Sequence, residues 1–125
     1  DAGYYMNLPD LDFIPGAAVM TRVISHPAKG VFTTDLGYKA IASDPAGQRG
    51  YIVGLEDAVP IIHSEEHWAF RLEDESRIPA IGTCLYVIPT HICPTTALYP
   101  EILVAKDGQV ADRWQVTARN RRITY

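Results

Sequence analysis

The chain of 125 residues has only two cysteines, Cys84 and Cys93, and no apolar run that approaches the length of a membrane span. No secretory signal is visible. The two cysteines can form at most one disulfide. Cys84 falls inside a strand pattern, which predicts a buried thiol and a reducing, cytoplasmic compartment. Positive charge is scarce. Eleven Lys and Arg stand against fifteen Asp and Glu, for a net charge of −4. The one basic cluster, Arg119, Arg121 and Arg122, lies at the C-terminus and reads as a solvated tail. A nucleic-acid partner needs a basic face, so that class is excluded. Sustained apolar spacing at 3.6 residues with caps at both ends is missing too. Also absent are a Gly-rich phosphate loop, a nucleophile elbow and an HExxH motif.

What remains is a series of short, β-branched, alternating segments divided by Gly, Pro and Asp. Strands are expected at residues 3–6, 17–26, 31–34, 51–55, 58–64, 67–72 and 83–88. Pro27 is expected to end the second of these. The segment 43–50 is the most loop-like, and residues 95–99 can make one helical turn. Asp107-Gly108 between 101–106 and 109–117 is a strong hairpin signal. Composition is ordinary for a globular chain, with 47% hydrophobic and 21% charged residues. The expectation is one all-β domain over residues 1–125, a small antiparallel barrel or sandwich.

Three stretches carry candidate chemistry. Pro89-Thr90-His91-Ile92-Cys93-Pro94 follows the 83–88 strand. In extended chain His91 and Cys93 share a face, and an imidazole beside a thiolate suits a borderline-soft cation such as zinc. Two protein ligands leave positions open for water or substrate, which favours a catalytic over a structural metal. The alternative is a turn residue beside a buried free thiol. Ser64-Glu65-Glu66-His67 can supply a ligand or a general acid/base, with His67 as the candidate. It reads more readily as a charged strand entry on the surface. Asp35-Leu36-Gly37-Tyr38-Lys39 can hold an anion through Lys39 and backbone N–H groups, or be a turn with a solvated lysine. His26 and His63 sit at strand ends and read as structural. A cysteine-protease reading is weak, because Pro94 and a strand-end setting leave no helix N-terminus beside Cys93.

Taken in order, these pieces resemble the C-terminal domain of the D-serine dehydratase/D-threonine aldolase family. Its members are pyridoxal-phosphate enzymes of the alanine-racemase-like fold type. The resemblance runs through Ala2-Gly3-Tyr4-Tyr5, Asp35 to Lys39, Ser64 to His67, Pro89 to Pro94, Lys106-Asp107-Gly108, Trp114 and Ala118-Arg119. It implies that His91 and Cys93 are ligands of a metal, normally zinc, placed beside the cofactor and engaging the substrate β-hydroxyl. A Lewis acid there eases loss of hydroxide, or lowers the hydroxyl pKa before Cα–Cβ cleavage. Pyridoxal phosphate stabilises the carbanion in either case. The implied substrate is a small D-3-hydroxy amino acid, as in D-serine to pyruvate and ammonia or D-threonine aldol cleavage. The His-x-Cys spacing leans toward the dehydratase branch.

The family's N-terminal (β/α) barrel carries the Schiff-base lysine and the phosphate site, and 125 residues cannot hold it. The resemblance therefore implies a C-terminal piece that is inactive alone, joins its barrel and forms a homodimer. No cofactor-binding residue is assigned within this chain, Lys39 included. Trp68 and Asn120 stand where the family usually has Gly. The first can crowd the pocket, and the second can be a turn variant, since Asn tolerates left-handed angles. Two other readings stay open: a stand-alone β-barrel that binds a metal or ligand without catalysis, and a structural or oligomerisation domain.

Overall fold

Burial alternates along β1 (Val19–Ala28), with Thr21 and Val23 inward and Met20 and Arg22 outward. The strand has two partners along its length. Val19, Met20, Thr21 and Arg22 pair with β6 (Cys84–Pro89), while Val23, Ser25 and Ala28 pair with β2 (Val31–Thr34). That division bends the sheet. A computed structural model describes residues 1–5, 7–44 and 46–124. In it six strands form one antiparallel sheet, ordered β3-β6-β1-β2-β5-β4, curled into a half-barrel. The other members are β3 (Gly50–Ile52), β4 (Val59–His63) and β5 (Trp68–Arg71). The all-β expectation holds.

The concave side is filled by Val23, Phe32, Leu36, Ile41, Ile52, Trp68, Phe70, Leu72 and Val87. Phe32 and Phe70 stack with ring centroids 5.4 Å apart, and Trp68 tilts onto Phe70 at 4.5 Å. Trp68 is 1% exposed. It fills the core and lines neither of the clefts described below.

The segments Asp35 to Lys39 and Ser64 to His67 form a single unit. Tyr38 N–H donates to the Ser64 carbonyl at 2.9 Å and Lys39 N–H to the Glu65 carbonyl at 3.1 Å. A side chain at Gly37 would put Cβ 2.0 Å from the Glu65 carbonyl oxygen, so only glycine permits this approach. The hairpin of β7 (Glu101–Lys106) and β8 (Gln109–Gln115) turns at Asp107 (φ 51°) and Gly108 (φ 75°) and forms a separate two-stranded sheet.

Four expectations are corrected. Residues 2–5 form a helix, α1 (Ala2–Tyr5), rather than a strand, because Tyr4 and Tyr5 N–H turn back onto the Asp1 carbonyl; Met6, the last residue of that expected strand, lies outside the described residues. Pro27 does not end β1. It lies within the strand, in the irregular stretch between Ser25 and Ala28 and beyond the reach of β6, where a missing N–H costs no ladder bond. Cys84 is exposed, since Leu85 and Val87 take the inward positions of β6 and the pleat sends Cys84 outward. Asn120 has φ −79°, not a left-handed angle.

Candidate functional site

The expected extended geometry of His91 and Cys93 is replaced by a helix start. His91 is the N-cap of α2 (Ile92–Thr96), with φ −127° and ψ 99°, and Cys93 lies in the first turn. Pro94 is compatible with this helix because N–H groups of the first turn have no intrahelical partner. The side chains of Thr95 and Thr96 bond back to the carbonyls of His91 and Ile92 at 2.8 and 2.9 Å. Thr95, 2% exposed, also accepts from Ala42 N–H at 3.1 Å, and Tyr99 OH donates to the Ala40 carbonyl at 2.7 Å. These bonds fix α2 against the segment that follows Gly37.

A third donor joins the pair from the far end of the chain. Asp1, His91 and Cys93 place ligand atoms within 4.8 Å of one another. The Asp1 carboxylate is held by Ile92 N–H at 2.7 Å. His91 Nδ1 lies 3.2 Å from the Asp44 carbonyl oxygen, which can only accept, so Nδ1 carries a proton and Nε2 is the nitrogen left to face a metal. The Asp44 carboxylate lies 3.8 Å from the same nitrogen. One nitrogen, one sulfur and one carboxylate oxygen form a donor set suited to zinc and similar divalent ions. Donors around a tetrahedral zinc are about 3.5 Å apart given bonds of about 2.0–2.3 Å, so small side-chain adjustments bring these three into range. The residues present fit a metal.

Two clefts flank the start of α2. One of about 570 Å³ has Asp1, Tyr5, Phe13, Tyr51, Ile88 and Ile92 among its walls. The other, of about 580 Å³, opens at Cys93.

The remaining candidates lie elsewhere. His67 is exposed, stands outside the ligand cluster, and its ring has no hydrogen-bond partner among the described residues. Ser64 Oγ instead engages the His67 backbone N–H at 3.3 Å. Lys39 Nζ lies 3.0 Å from Glu65 and 2.7 Å from Glu66. Hydrogen bonds that the ammonium donates to Glu66 and then to Glu65 raise its pKa well above the ordinary lysine range. It is already neutralised, so the anion-binding reading of this loop is withdrawn. His26 bonds the Pro79 carbonyl at 2.8 Å, and His63 packs against Tyr38 and Trp68, so both are structural as expected. Asp1 had no sequence signal, because nothing local reports a contact across the whole chain.

The family model described as "Putative serine dehydratase domain" matches residues 16–105. The chain belongs to this family. An uncharacterized protein of Mycobacterium tuberculosis is 33% identical over 115 residues, covering 90% of this chain and 86% of that protein. The D-threonine aldolase of an Arthrobacter species is 31% identical over 104 residues, covering 81% of this chain but 26% of the enzyme. Among solved structures, D-threonine aldolase from Filomicrobium marinum superposes with a TM-score of 0.74 at 25% identity, over 82% of this chain and 28% of that one. D-threo-3-hydroxyaspartate dehydratase from Delftia sp. HT23 gives 0.62 at 28% identity, over 78% and 31%. This chain is thus similar both to enzymes far longer than itself and to a relative of similar length. Among the described residues no helix is long and apolar enough to cross a membrane.

Proposed function

We propose that this chain supplies the metal-binding wall of a lyase that acts on D-3-hydroxy amino acids. The observation that carries the reading is the convergence of Asp1, His91 and Cys93 on one point at the start of α2. The aldolase and dehydratase relatives support it, since their names place 3-hydroxy amino acids among their substrates. Asp1, His91 and Cys93 would hold the ion, with zinc as the expected metal. When bound, a divalent ion supplies a Lewis acid for a substrate hydroxyl. The chain's own groups prepare the position. The Asp44 carbonyl accepts from His91 Nδ1, Ile92 N–H orients the Asp1 carboxylate, and Thr95 anchors the helix that carries Cys93.

No lysine of this chain is assigned to the Schiff base of pyridoxal phosphate. Lys39 is paired with two glutamates and Lys29 with Glu75, while Lys106 is exposed beside the hairpin turn. The cofactor and its lysine would come from an N-terminal barrel joined to this domain, in a homodimer, and no catalytic role is carried forward for His67.

The Mycobacterium relative favours a second reading, a stand-alone metal-binding β-domain without catalysis, because this chain covers 86% of it. The test follows pyruvate from D-serine and aldehyde from D-threonine with the full gene product, after chelation and after zinc is restored. Chelator-sensitive pyruvate supports the dehydratase reading, and aldehyde supports the aldolase. A product that binds one zinc but is inert with both substrates leaves the stand-alone reading. A product that turns over either substrate equally well after chelation overturns the metal role.

A further inference from the structure

The cleft that opens at Cys93 has its far wall built by the C-terminal turns. Thr96, Val116, Ala118, Arg119 and Arg121 line it together with Cys93. Arg119 ends a 3-10 turn (Thr117–Arg119), and Arg121 N–H then donates to the Arg119 carbonyl at 2.8 Å. With Asn120 at φ −79° and ψ 59°, this is an inverse γ-turn, which reverses the chain tightly enough to keep both arginines on one cleft. Arg119, Arg121 and Arg122 are exposed, as expected of a solvated tail, and the first two also line the cleft. Among the described residues no carboxylate pairs with either guanidinium, although Arg77 and Arg113 pair with Asp57 and Glu101. In a chain of net charge −4, that leaves two uncompensated cations beside one candidate metal ligand.

We propose that Arg119 and Arg121 form a carboxylate-binding subsite that anchors the anionic end of whatever binds at Asp1, His91 and Cys93. The planar guanidinium fork matches a carboxylate in two parallel hydrogen bonds, which a lysine cannot do. Half-buried Val116 and exposed Ala118 line the cleft along with the two arginines and Cys93. The cleft on the other side is lined by Asp1 and Glu56 and by no Lys or Arg side chain. Cys93 is the candidate ligand that lines this cleft, so a hydroxy acid held by its carboxylate on the arginines would turn its hydroxyl toward Cys93. The orientation rests on the metal-site reading; the anion subsite does not.

The carboxylate has two sources in a 3-hydroxy amino acid. The α-carboxylate stands one carbon removed from the hydroxyl-bearing carbon, and a β-carboxylate is attached directly to it. The probes separate them: 3-hydroxypropionate reproduces the first arrangement, glycolate the second, and ethylene glycol is the neutral control. Each is titrated at fixed ionic strength into the full ¹⁵N-labelled chain, without metal and with zinc, following the arginine Nε–Hε and backbone amide signals. The expected result is saturable movement of Arg119, Ala118 and Arg121 with one of the acids and none with ethylene glycol. Arg119→Gln and Arg121→Gln are each expected to weaken binding roughly tenfold or more, while Arg113→Gln leaves it unchanged. The proposal is overturned by acids that do not saturate, by shifts that map elsewhere, or by Gln variants that bind as the parent does. If zinc leaves His91 and Cys93 unmoved while an acid still engages the arginines, the metal reading fails and the anion subsite stands.

Discussion

The Asp1 carboxylate accepts a hydrogen bond from Ile92 N–H at 2.7 Å, across 91 positions of sequence. The same side chain thus orders the start of α2 and joins the donor set of His91 and Cys93. The two roles separate by substitution. Asp1→Asn keeps an acceptor for Ile92 N–H and removes the charge, whereas Asp1→Ala removes both. Zinc affinity, read by competition with a chromophoric chelator, is expected to fall in both variants. The loss should exceed the roughly 10–100-fold typical of an outer-shell partner. The melting temperature should drop only in Asp1→Ala. Unchanged affinity in both would remove Asp1 from the ligand set.

Thr95 couples the site to the core. Its buried hydroxyl donates to the His91 carbonyl and accepts from Ala42 N–H. Thr95→Val keeps the shape and leaves the Ala42 donor buried without its partner, at a cost of about 1–3 kcal/mol. Denaturant titration measures this. Zinc affinity is expected to fall with it, because α2 loses its tie to the segment after Gly37. Thr95→Ser retains the hydroxyl and should recover most of both.

The sheet was legible because its strands obey the period-2 pattern that local sequence reports, and the Asp107-Gly108 turn states its own geometry. What failed were features set by tertiary partners. Tyr4 and Tyr5 carry strand propensity, yet the Asp1 carbonyl captures their N–H groups. Pro94 suggested a break, yet the first turn of α2 has no use for its missing donor. His91 and Cys93 were visible as a pair from their chemistry alone. Asp1 and the arginine wall were not, because their contacts run from the two ends of the chain to its middle.

His63 gives the fold a pH dependence. Its Nε2 is buried without a hydrogen-bond partner among the described residues. Burial, and then the nearby charge of Arg49, lowers its pKa below the ordinary histidine value. The unfolded chain therefore binds the proton first as pH falls. Stability tied to this group is complete above the unfolded value of ~6.5 and is lost as pH falls from there through the folded value. His63→Phe, which suits the ring contacts with Tyr38 and Trp68, should flatten the stability profile in that window. Denaturant midpoints between pH 5 and 8 decide it: an equal slope in parent and variant would remove His63 as the cause.

The two thiols distinguish a metal site from a structural surface. Both cysteines are free and exposed in the single chain. A thiol reagent should therefore titrate two groups in the metal-free chain. A thiolate bound to zinc has its nucleophilic lone pair engaged, so zinc should protect Cys93 and leave Cys84 reactive. Cys84→Ala should then show one group that zinc protects fully, and Cys93→Ala one group that zinc does not protect. His91→Ala keeps both thiols and should abolish the protection, because the remaining donors cannot hold the ion at micromolar zinc. If zinc slows neither cysteine in the parent chain, Cys93 is not a ligand, and the case for a metal at the start of α2 falls with it.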